Sequence, residues 1–215
     1  MDWLDWHDDY DRPDSWLAQR LRAVQAQIRT MLDAAAPGPV RVLSVCAGQG
    51  RDLLEVLADH PRRDDVKARL VELDARNAAF AAEHAAGLDV EVVTGDASLT
   101  ANYRGIAPAD LVLMCGVFGN ITEEDIERTV DTCRQLTATG GTVIWTRGRT
   151  APDLLPQICE WFEEREFERV WVSEPDVNYG VGVHRYRGEP LPLKDSSMFT
   201  FVGWDKLKAA GRSHG

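Results

Sequence analysis

One apolar run, interrupted by two glycines and resumed with helical spacing, constrains this chain more than any other feature. Its sequence is RVLSVCAGQGRDLLEVL, from Arg41 to Leu57. The first part has the length and the β-branched content of a buried strand, and the last part has the apolar spacing of a helix. A strand, a tight glycine turn and a helix in this order are typical of a site for a nucleotide-like ligand. The ligand stays open here, because Cys46 and Asp52 stand where simpler loops of this kind carry glycine.

The same alternation of strand and helix continues along the chain. The predicted strands are Val40–Cys46, Ala68–Asp74, Val90–Thr94, Asp110–Cys115, Thr142–Thr146, Glu168–Val172 and Gly180–Tyr186. Strands separated by helices favour a mostly parallel sheet with helices on both faces, which is a three-layer α/β sandwich of the Rossmann-like kind. In such folds ligands bind at the carboxyl ends of the strands.

The predicted helices carry recognisable caps and stripes. Asp14 and Ser15 can cap the first helix, whose apolar stripe is Leu17, Leu21, Val24, Ile28 and Leu32. Further helices are predicted from about Asp52, over Arg76–Ala86, after Thr122 and over Asp153–Arg165. Thr122 and Asp125 form a candidate capping box, and the glycine pair Gly140–Gly141 is expected to end that helix.

Composition narrows the class of protein. A chain of 215 residues with 44% hydrophobic and 27% charged residues matches one ordinary globular domain. The first residues are acidic and aromatic, unlike a targeting signal, and no run is long enough to span a membrane, so a cytoplasmic location without membrane contact is expected.

The net charge argues against a nucleic-acid partner, and the cysteine spacing argues against a metal site or a disulfide framework. The formal net charge of −11 argues against a nucleic-acid partner, although a local patch near Arg165, Arg169, Arg185 and Arg187 stays an alternative. The four cysteines form no C-x-x-C pair, so neither a metal site nor a disulfide framework is expected. Buried, reduced thiols are the favoured interpretation.

Acidic residues follow the second and third predicted strands. Glu72 lies 22 residues after Gly50, close to the separation expected of an acid that accepts hydrogen bonds from ribose hydroxyls. Asp74 is the competing acceptor. After the third strand, Gly95 lets the backbone turn and Asp96 can accept from the exocyclic amine of adenine; the alternative is that Asp96 only shapes the loop as an Asx-turn.

Taken together, these segments resemble the class I S-adenosylmethionine-dependent methyltransferase family. VLSVCAGQG resembles its first motif, VELD its second-strand acid, TGDA its adenine-contacting segment and DLVLMCGVFGNI its fourth-strand segment. The resemblance implies a seven-stranded sheet with an antiparallel last strand inserted between its neighbours, and S-adenosyl-L-methionine as cofactor. It implies these cofactor-binding residues: Cys46, Ala47, Gly48, Gln49, Gly50, Glu72, Leu73, Asp74, Gly95, Asp96, Ala97, Cys115, Gly116 and Val117.

Two positions depart from the family's first motif. Its usual acid falls on Ser44, and its first glycine falls on Cys46. The contact to the methionine amino group is therefore left to backbone carbonyls or to another side chain. The expected organisation is a single domain over 1–215, with an N-terminal lid segment and helix in 1–36, a cofactor-binding core in 40–187 and a C-terminal tail in 188–215.

Two rival functions remain at this stage. A nicotinamide dehydrogenase needs a third glycine in G-x-G-x-x-G, and Leu53 occupies that position. A catalytically silent domain that binds the cofactor or a partner protein has the same fold and is not separated by sequence.

The acceptor is expected to be a small organic molecule methylated on oxygen or nitrogen. The segment after the fourth strand is CGVFGNI and not an N-P-P-Y-like tetrad of the kind often found in base-amine methylation. Asn120 is a candidate for orienting the substrate, although capping a turn is the favoured alternative. His184 is expected to be structural.

An aromatic and acidic segment, DWLDWHDDYDRP, precedes the first helix. The functional hypothesis is a lid in which Tyr10 borders the sulfonium, Trp3 and Trp6 wall the acceptor, and His7 is the base. The alternative is an aromatic clamp that packs the N-terminus on the core.

Overall fold

The fold of the computed structural model is described here for Tyr10, Arg12 and residues 14–212. The helices are α1 Trp16–Ala34, α2 Arg51–Leu57, α3 Ala75–His84, α4 Glu123–Leu136, α5 Leu155–Glu163 and α6 Trp204–Arg212. The strands are β1 Val40–Val45, β2 Val66–Glu72, β3 Val90–Thr94, β4 Ala109–Met114, β5 Thr137–Gly148, β6 Phe167–Val172 and β7 Tyr179–Tyr186.

The strands form one seven-stranded sheet in the order β3-β2-β1-β4-β5-β7-β6. Strands β1 to β5 pair in parallel, and β7 runs antiparallel to both β5 and β6. The predicted fold, including the insertion of the last strand between its neighbours, is confirmed. The order reverses at β1, so the carboxyl ends of β1 and β4 flank the crevice in which such folds bind ligands.

Two hydrophobic clusters cover the two faces of the sheet. Because side chains alternate along a strand, Val42 of β1 lies in the cluster with α1 and α2, and Leu43 lies in the cluster with α4 and α5. Ile28 of α1 and Val130 of α4 are fully buried representatives of the two helix layers. The result is the predicted three-layer sandwich.

Helix α1 begins at the predicted cap and buries most of the predicted stripe. The Ser15 hydroxyl oxygen accepts from the backbone N–H of Ala18, at 3.0 Å. The buried positions are Leu17, Ala18, Arg20, Val24, Ile28 and Leu32. Leu21 is only half-buried, because it faces a cavity at the carboxyl end of the sheet and not the core.

The prediction that Gly140–Gly141 ends a helix was wrong. Helix α4 ends at Leu136, and β5 runs through both glycines. Gly140 adopts a φ of +80°, and the register with β4 shifts between Ala109 and Leu111. A Cβ on Gly141 would lie 2.9 Å from the carbonyl oxygen of Ala109. The glycines therefore form an irregularity inside a strand, where neighbouring backbone leaves no room for a side chain.

The capping box at α4 forms only in part. The Thr122 hydroxyl accepts from the backbone N–H of Asp125, at 3.2 Å, as predicted. The Asp125 carboxylate instead accepts from the backbone N–H of Thr200, at 2.7 Å. This acid therefore anchors the C-terminal part of the chain and does not close the capping box.

Candidate functional site

A cavity of about 470 Å³ lies at the carboxyl ends of β1 to β4. Its lining residues are Tyr10, Arg20, Leu21, Val24, Cys46, Ala47, Gly48, Gln49, Arg51, Asp52, Glu72, Leu73, Asp74, Asn77, Asp96, Ala97, Cys115, Gly116, Phe199 and Phe201. Its size is within the range of small-molecule sites. The segments that sequence analysis singled out after four different strands meet here.

Glu72 holds the glycine loop in place. One oxygen of its carboxylate accepts from the backbone N–H of Gly48, at 2.7 Å, and the other accepts from the backbone N–H of Asp74, at 2.8 Å. Gly48 itself has a φ of +56°. The acid predicted to bind ribose thus also joins the end of β2 to the loop after β1, and an ionised carboxylate retains lone pairs for further donors.

Cys46 and Gly50, which lie on either side of Gly48 in the loop, also adopt left-handed backbone conformations. Cys46, at the family's first glycine position, has a φ of +53°, which disfavours a residue with a side chain. Burial raises the pKa of its thiol, so the sulfur stays protonated. Gly50 has a φ of +69°, and a Cβ there would lie 2.7 Å from Leu70. Gly50 therefore serves helix–strand packing and does not line the cavity.

Asp74 and Asp96 have local partners as well as positions on the cavity. Asp74 caps α3 by accepting from the backbone N–H of Arg76, and hydrogen bonding to Arg76 lowers the pKa of Asp74 to about 2. Asp96 accepts from the backbone N–H of Ser98, at 2.9 Å, which forms the Asx-turn considered as its alternative role. Both carboxylates keep an orientation fixed by their own loops.

Asp52 and Arg20 are cavity residues whose place in the site sequence analysis missed. Burial raises the pKa of Asp52 to about 6, while the hydrogen bond from the Leu53 backbone N–H opposes that rise. Interaction with the Cys115 thiol also opposes the rise in the pKa of Asp52. Arg20 is only 7% exposed and donates to the Tyr10 hydroxyl, at 2.8 Å. The signal for Arg20 was its position three residues after Leu17 and four before Val24, which places it on the buried face of α1.

The C-terminal part of the chain closes one side of the cavity. Residues 194–204, here called the C-terminal strap, place Phe199 and Phe201 in the lining. The strap pairs with the loop after β3, where the Thr100 backbone N–H donates to Ser196 O, at 3.0 Å, and the Met198 backbone N–H donates to Ser98 O, at 2.9 Å. Sequence analysis did not assign Phe199 and Phe201 to the site.

Asn120 holds the far end of the C-terminal strap. Its carbonyl accepts from the backbone N–H groups of Val202 and Gly203, and its side-chain oxygen accepts from the backbone N–H of Trp204, at 2.9 Å. Asn120 also donates to Gly116 O, at 2.7 Å. These contacts give Asn120 an architectural role. It holds the strap whose Phe199 and Phe201 line the cavity, and does not line the cavity itself.

The structure brings together most of the predicted cofactor-binding residues, but not all of them. Val117 is fully buried, and Gly95, whose backbone N–H donates to Glu72 O, lies outside the lining. Of the predicted lid, Tyr10 lines the cavity, and its burial raises the pKa of the phenol. Trp3, Trp6 and His7 lie outside the described residues.

Within the described residues, no group of three or more His, Cys, Asp or Glu side chains is placed to hold a metal ion. Across the same part of the chain, each helix is too short or too polar to cross a bilayer. Arg165 and Arg187, from the candidate basic patch, form ion pairs with Glu127 and Glu168.

Comparison with known proteins gives one family match. Residues 42–141 match the family model described as a methyltransferase domain. A search of curated proteins finds no significant match.

Solved structures share the fold at low identity. An O-methyltransferase family protein from Burkholderia thailandensis is 17% identical with a TM-score of 0.59, over 84% of this chain and 61% of that one. A 1,6-didemethyltoxoflavin-N1-methyltransferase from the same organism, with bound 1,6-didemethyltoxoflavin and S-adenosylhomocysteine, is 19% identical with a TM-score of 0.60, over 86% of each chain. A TehB-like SAM-dependent methyltransferase from Corynebacterium glutamicum is 19% identical with a TM-score of 0.58, over 80% and 96%. The chain thus spans 61% of the first of these proteins, and the likeness shows the fold.

Proposed function

We infer that this chain, whose residues 42–141 match the model of a methyltransferase domain, is a class I methyltransferase that transfers a methyl group from S-adenosylmethionine to a small organic acceptor. One observation carries the proposal. The carboxylate at the end of β2, Glu72, binds the backbone of the glycine loop after β1, and both line one cavity at the point where the strand order reverses. An acid beside a glycine loop at that point is the arrangement that binds an adenosyl group.

The residues of the cavity fit this cofactor in size and in chemistry. Glu72 offers charged acceptors for two ribose hydroxyls, and Asp96 offers one for an exocyclic amine. Leu73 and Ala97 flank them with apolar surface for a purine. When bound, S-adenosylmethionine supplies an electrophilic methyl group on a sulfonium.

The side chains of this chain are proposed to position the reactants. Holding two reactants in line can lower a barrier by about 7–11 kcal/mol, so few reactive groups are needed. The Tyr10 ring suits a sulfonium, because cations are attracted to aromatic faces. Its raised pKa keeps the phenol neutral, so Tyr10 is proposed as a wall of the site and His7 as the base for an oxygen acceptor.

The proposed acceptor is a small organic molecule, methylated on oxygen or nitrogen. Similarity to an O-methyltransferase family protein and to an N1-methyltransferase supports this class without choosing between the two atoms. The net charge of −11 supports a small acceptor over a nucleic acid. Trp3, Trp6 and Asn120 are the proposed acceptor-side residues, the last through its hold on the C-terminal strap.

Two measurements test the proposed function. Isothermal titration is expected to give micromolar binding of S-adenosylhomocysteine and no binding of NAD. Transfer of a radiolabelled methyl group to a panel of small phenols, amines and heterocycles is expected to identify an acceptor. Binding of NAD without a response to S-adenosylhomocysteine would overturn the assignment, and cofactor binding without transfer to any acceptor would favour a silent binding domain.

A truncation tests the proposed lid. Deleting residues 1–12 removes Trp3, Trp6, His7 and Tyr10, so turnover is expected to be abolished while a folded protein keeps weak cofactor binding. A truncated protein that methylates at the parent rate would remove the lid from the mechanism. One that does not fold would favour the aromatic clamp.

A further inference from the structure

A cluster of charged and polar side chains lies at one end of the cavity, and its two charged members have no role in the site described so far. It consists of Asp52 on α2, Arg20 on α1, Cys115 after β4, and Tyr10, and is here called the Asp52 cluster. Arg20 is 7% exposed, and Asp52 lines the same cavity as Cys115. A half-buried acid and a buried cation on one cavity offer complementary charges to a ligand that carries both signs.

The strand order separates this cluster from the adenosyl end of the cavity. Glu72 ends β2, Cys115 follows β4, and β1 lies between those two strands. Neighbouring strands are about 4.8 Å apart, so the two strand ends are separated by roughly 10 Å across the loop after β1. Because Asp96 and Glu72 define the base and ribose end, the Asp52 cluster lies at the opposite end, beyond the sulfur of a bound adenosyl ligand.

The strand β1 provides no acid at that end. Ser44 is buried in β1, with 1% of its surface exposed, and its hydroxyl carries no charge. The following residues, Cys46 and Ala47, also lack a carboxylate, and burial keeps the Cys46 thiol protonated. Among the cavity residues next to the loop after β1, Asp52 is the acid that lies on the β4 side.

We propose that Asp52 accepts the α-ammonium group, and that Arg20 binds the α-carboxylate, of the amino-acid end of S-adenosylmethionine. This inference rests on the proposed function and assigns the residues that replace an acid at Ser44. Asp52 uses one oxygen for the Leu53 backbone N–H, at 2.9 Å, and a carboxylate has lone pairs for further donors. An ammonium group beside Asp52 would add a positive charge to that of Arg20 next to the carboxylate.

Comparing the binding of two ligands, one with the charged amino-acid end and one without it, tests these two contacts. S-adenosylhomocysteine carries both charged groups, whereas 5′-methylthioadenosine keeps the adenosine and the sulfur without them. In isothermal titrations, Asp52→Asn is expected to weaken S-adenosylhomocysteine about tenfold or more and to leave 5′-methylthioadenosine unchanged. Arg20→Gln is expected to give the same pattern. Asn is nearly isosteric with Asp, so the fold is expected to be retained, and melting temperatures check this.

The control is Glu83→Gln, which removes one negative charge from an exposed position on α3 and is expected to change neither affinity. Equal weakening of both ligands by Asp52→Asn would assign Asp52 a purely architectural role and overturn the proposal. Parent-like binding of both ligands by the variant would do the same while leaving the proposed function standing. A parent protein that binds neither ligand would overturn both.

Discussion

Gly48 and Gly182, one in each half of the sheet, have different surroundings. Just after β1, Gly48 adopts a left-handed conformation and lines the cavity. In β7, a Cβ on Gly182 would overlap the ring of Trp145 on β5. Gly48 thus borders the proposed ligand site, whereas Gly182 makes room for a neighbouring side chain of the same protein. A glycine in a sequence does not distinguish these purposes by itself.

The second half is filled by stacked rings. Trp145 stacks on Phe162 with ring centroids 6.1 Å apart, and Phe162 stacks on His184 with centroids 4.7 Å apart. The Trp145 indole N–H donates to Nδ1 of His184, at 3.1 Å. All three side chains are fully buried. This half therefore fixes the inserted antiparallel strand, while the half around β1 to β4 carries the polar strand ends of the site.

The largest expected effect is on stability, through a substitution in the second half of the sheet, around β5 and β7. Gly182→Ala places a methyl group against a buried indole that has no free space to move into, so we expect a loss of about 1–3 kcal/mol or more in the free energy of unfolding. Urea unfolding measures it. The matched control is Gly119→Ala, since a Cβ there meets nothing within 4 Å. Equal stability of the two variants would contradict the comparison between the halves.

The next effect is on cofactor binding. Glu72→Ala removes the charged acceptor at the ribose end and the brace on Gly48, so cofactor affinity is expected to fall by about 1.5–3 kcal/mol. Asp96→Ala is expected to reduce cofactor affinity less, because the exocyclic amine of adenine can donate to water instead. Asp74→Asn keeps the cap on α3 and is expected to bind as the parent does. Isothermal titration with S-adenosylhomocysteine decides, and a loss with Asp74→Asn but not with Glu72→Ala would show that the wrong acid was chosen.

A smaller effect concerns the pH dependence of that binding. The pKa of Asp52 is about 6 with Arg20, Cys115 and Tyr10 around it, and an ammonium ligand favours the ionised carboxylate. Binding therefore releases a proton, and affinity for S-adenosylhomocysteine is expected to fall about tenfold from pH 7 to pH 5. Titrations across this range with the parent and with Asp52→Asn measure it. A profile that keeps the same slope in the variant would assign the proton to another group.

The smallest expected effect is the pH dependence of folding. Burial lowers the pKa of His184 from 6.5 to about 3, so the unfolded chain takes up a proton below pH 6.5 that the folded chain does not bind until about pH 3. Stability is therefore lost as pH falls, by about 1 kcal/mol between pH 6.5 and 5.5. Urea unfolding at these two pH values is compared for the parent and His184→Phe, in which this contribution to the loss is expected to vanish. An unchanged loss in the variant would contradict the assignment.

The fold was predictable because its pattern is local and repeated. Apolar strands, caps such as Ser15 and turn residues each act over a few positions, and they indicated a mostly parallel sheet. The antiparallel last strand was expected from the resemblance to the methyltransferase family. The predicted end of α4 at Gly140 failed because a strand with an internal glycine pair has the same local signal as a helix end.

The residues of the candidate site were predictable only where they lie at a strand end or in the loop directly after it. Gly48, Glu72 and Asp96 follow strands directly, so their meeting followed from the fold. Arg20 and Phe199 come from a helix face and from the distant C-terminal strap, and no local pattern relates them to the glycine loop. Asp52 was visible as an unusual residue in the loop, but its surroundings depend on tertiary packing.

The position of the C-terminal strap in the chain also determines when the cavity is closed during protein synthesis. Its backbone pairing joins Thr100 to Ser196 across nearly half of the chain, and Phe199 reaches the cavity only through that pairing. Domains fold as their residues emerge during synthesis, N-terminal parts first. The sheet up to β7 therefore leaves the ribosome before residues 194–204 do, and until then the nascent chain has the glycine loop and Glu72 but an open side where Phe199 and Phe201 will lie. The cavity wall formed by Phe199 and Phe201 is thus completed after the sheet that supports it.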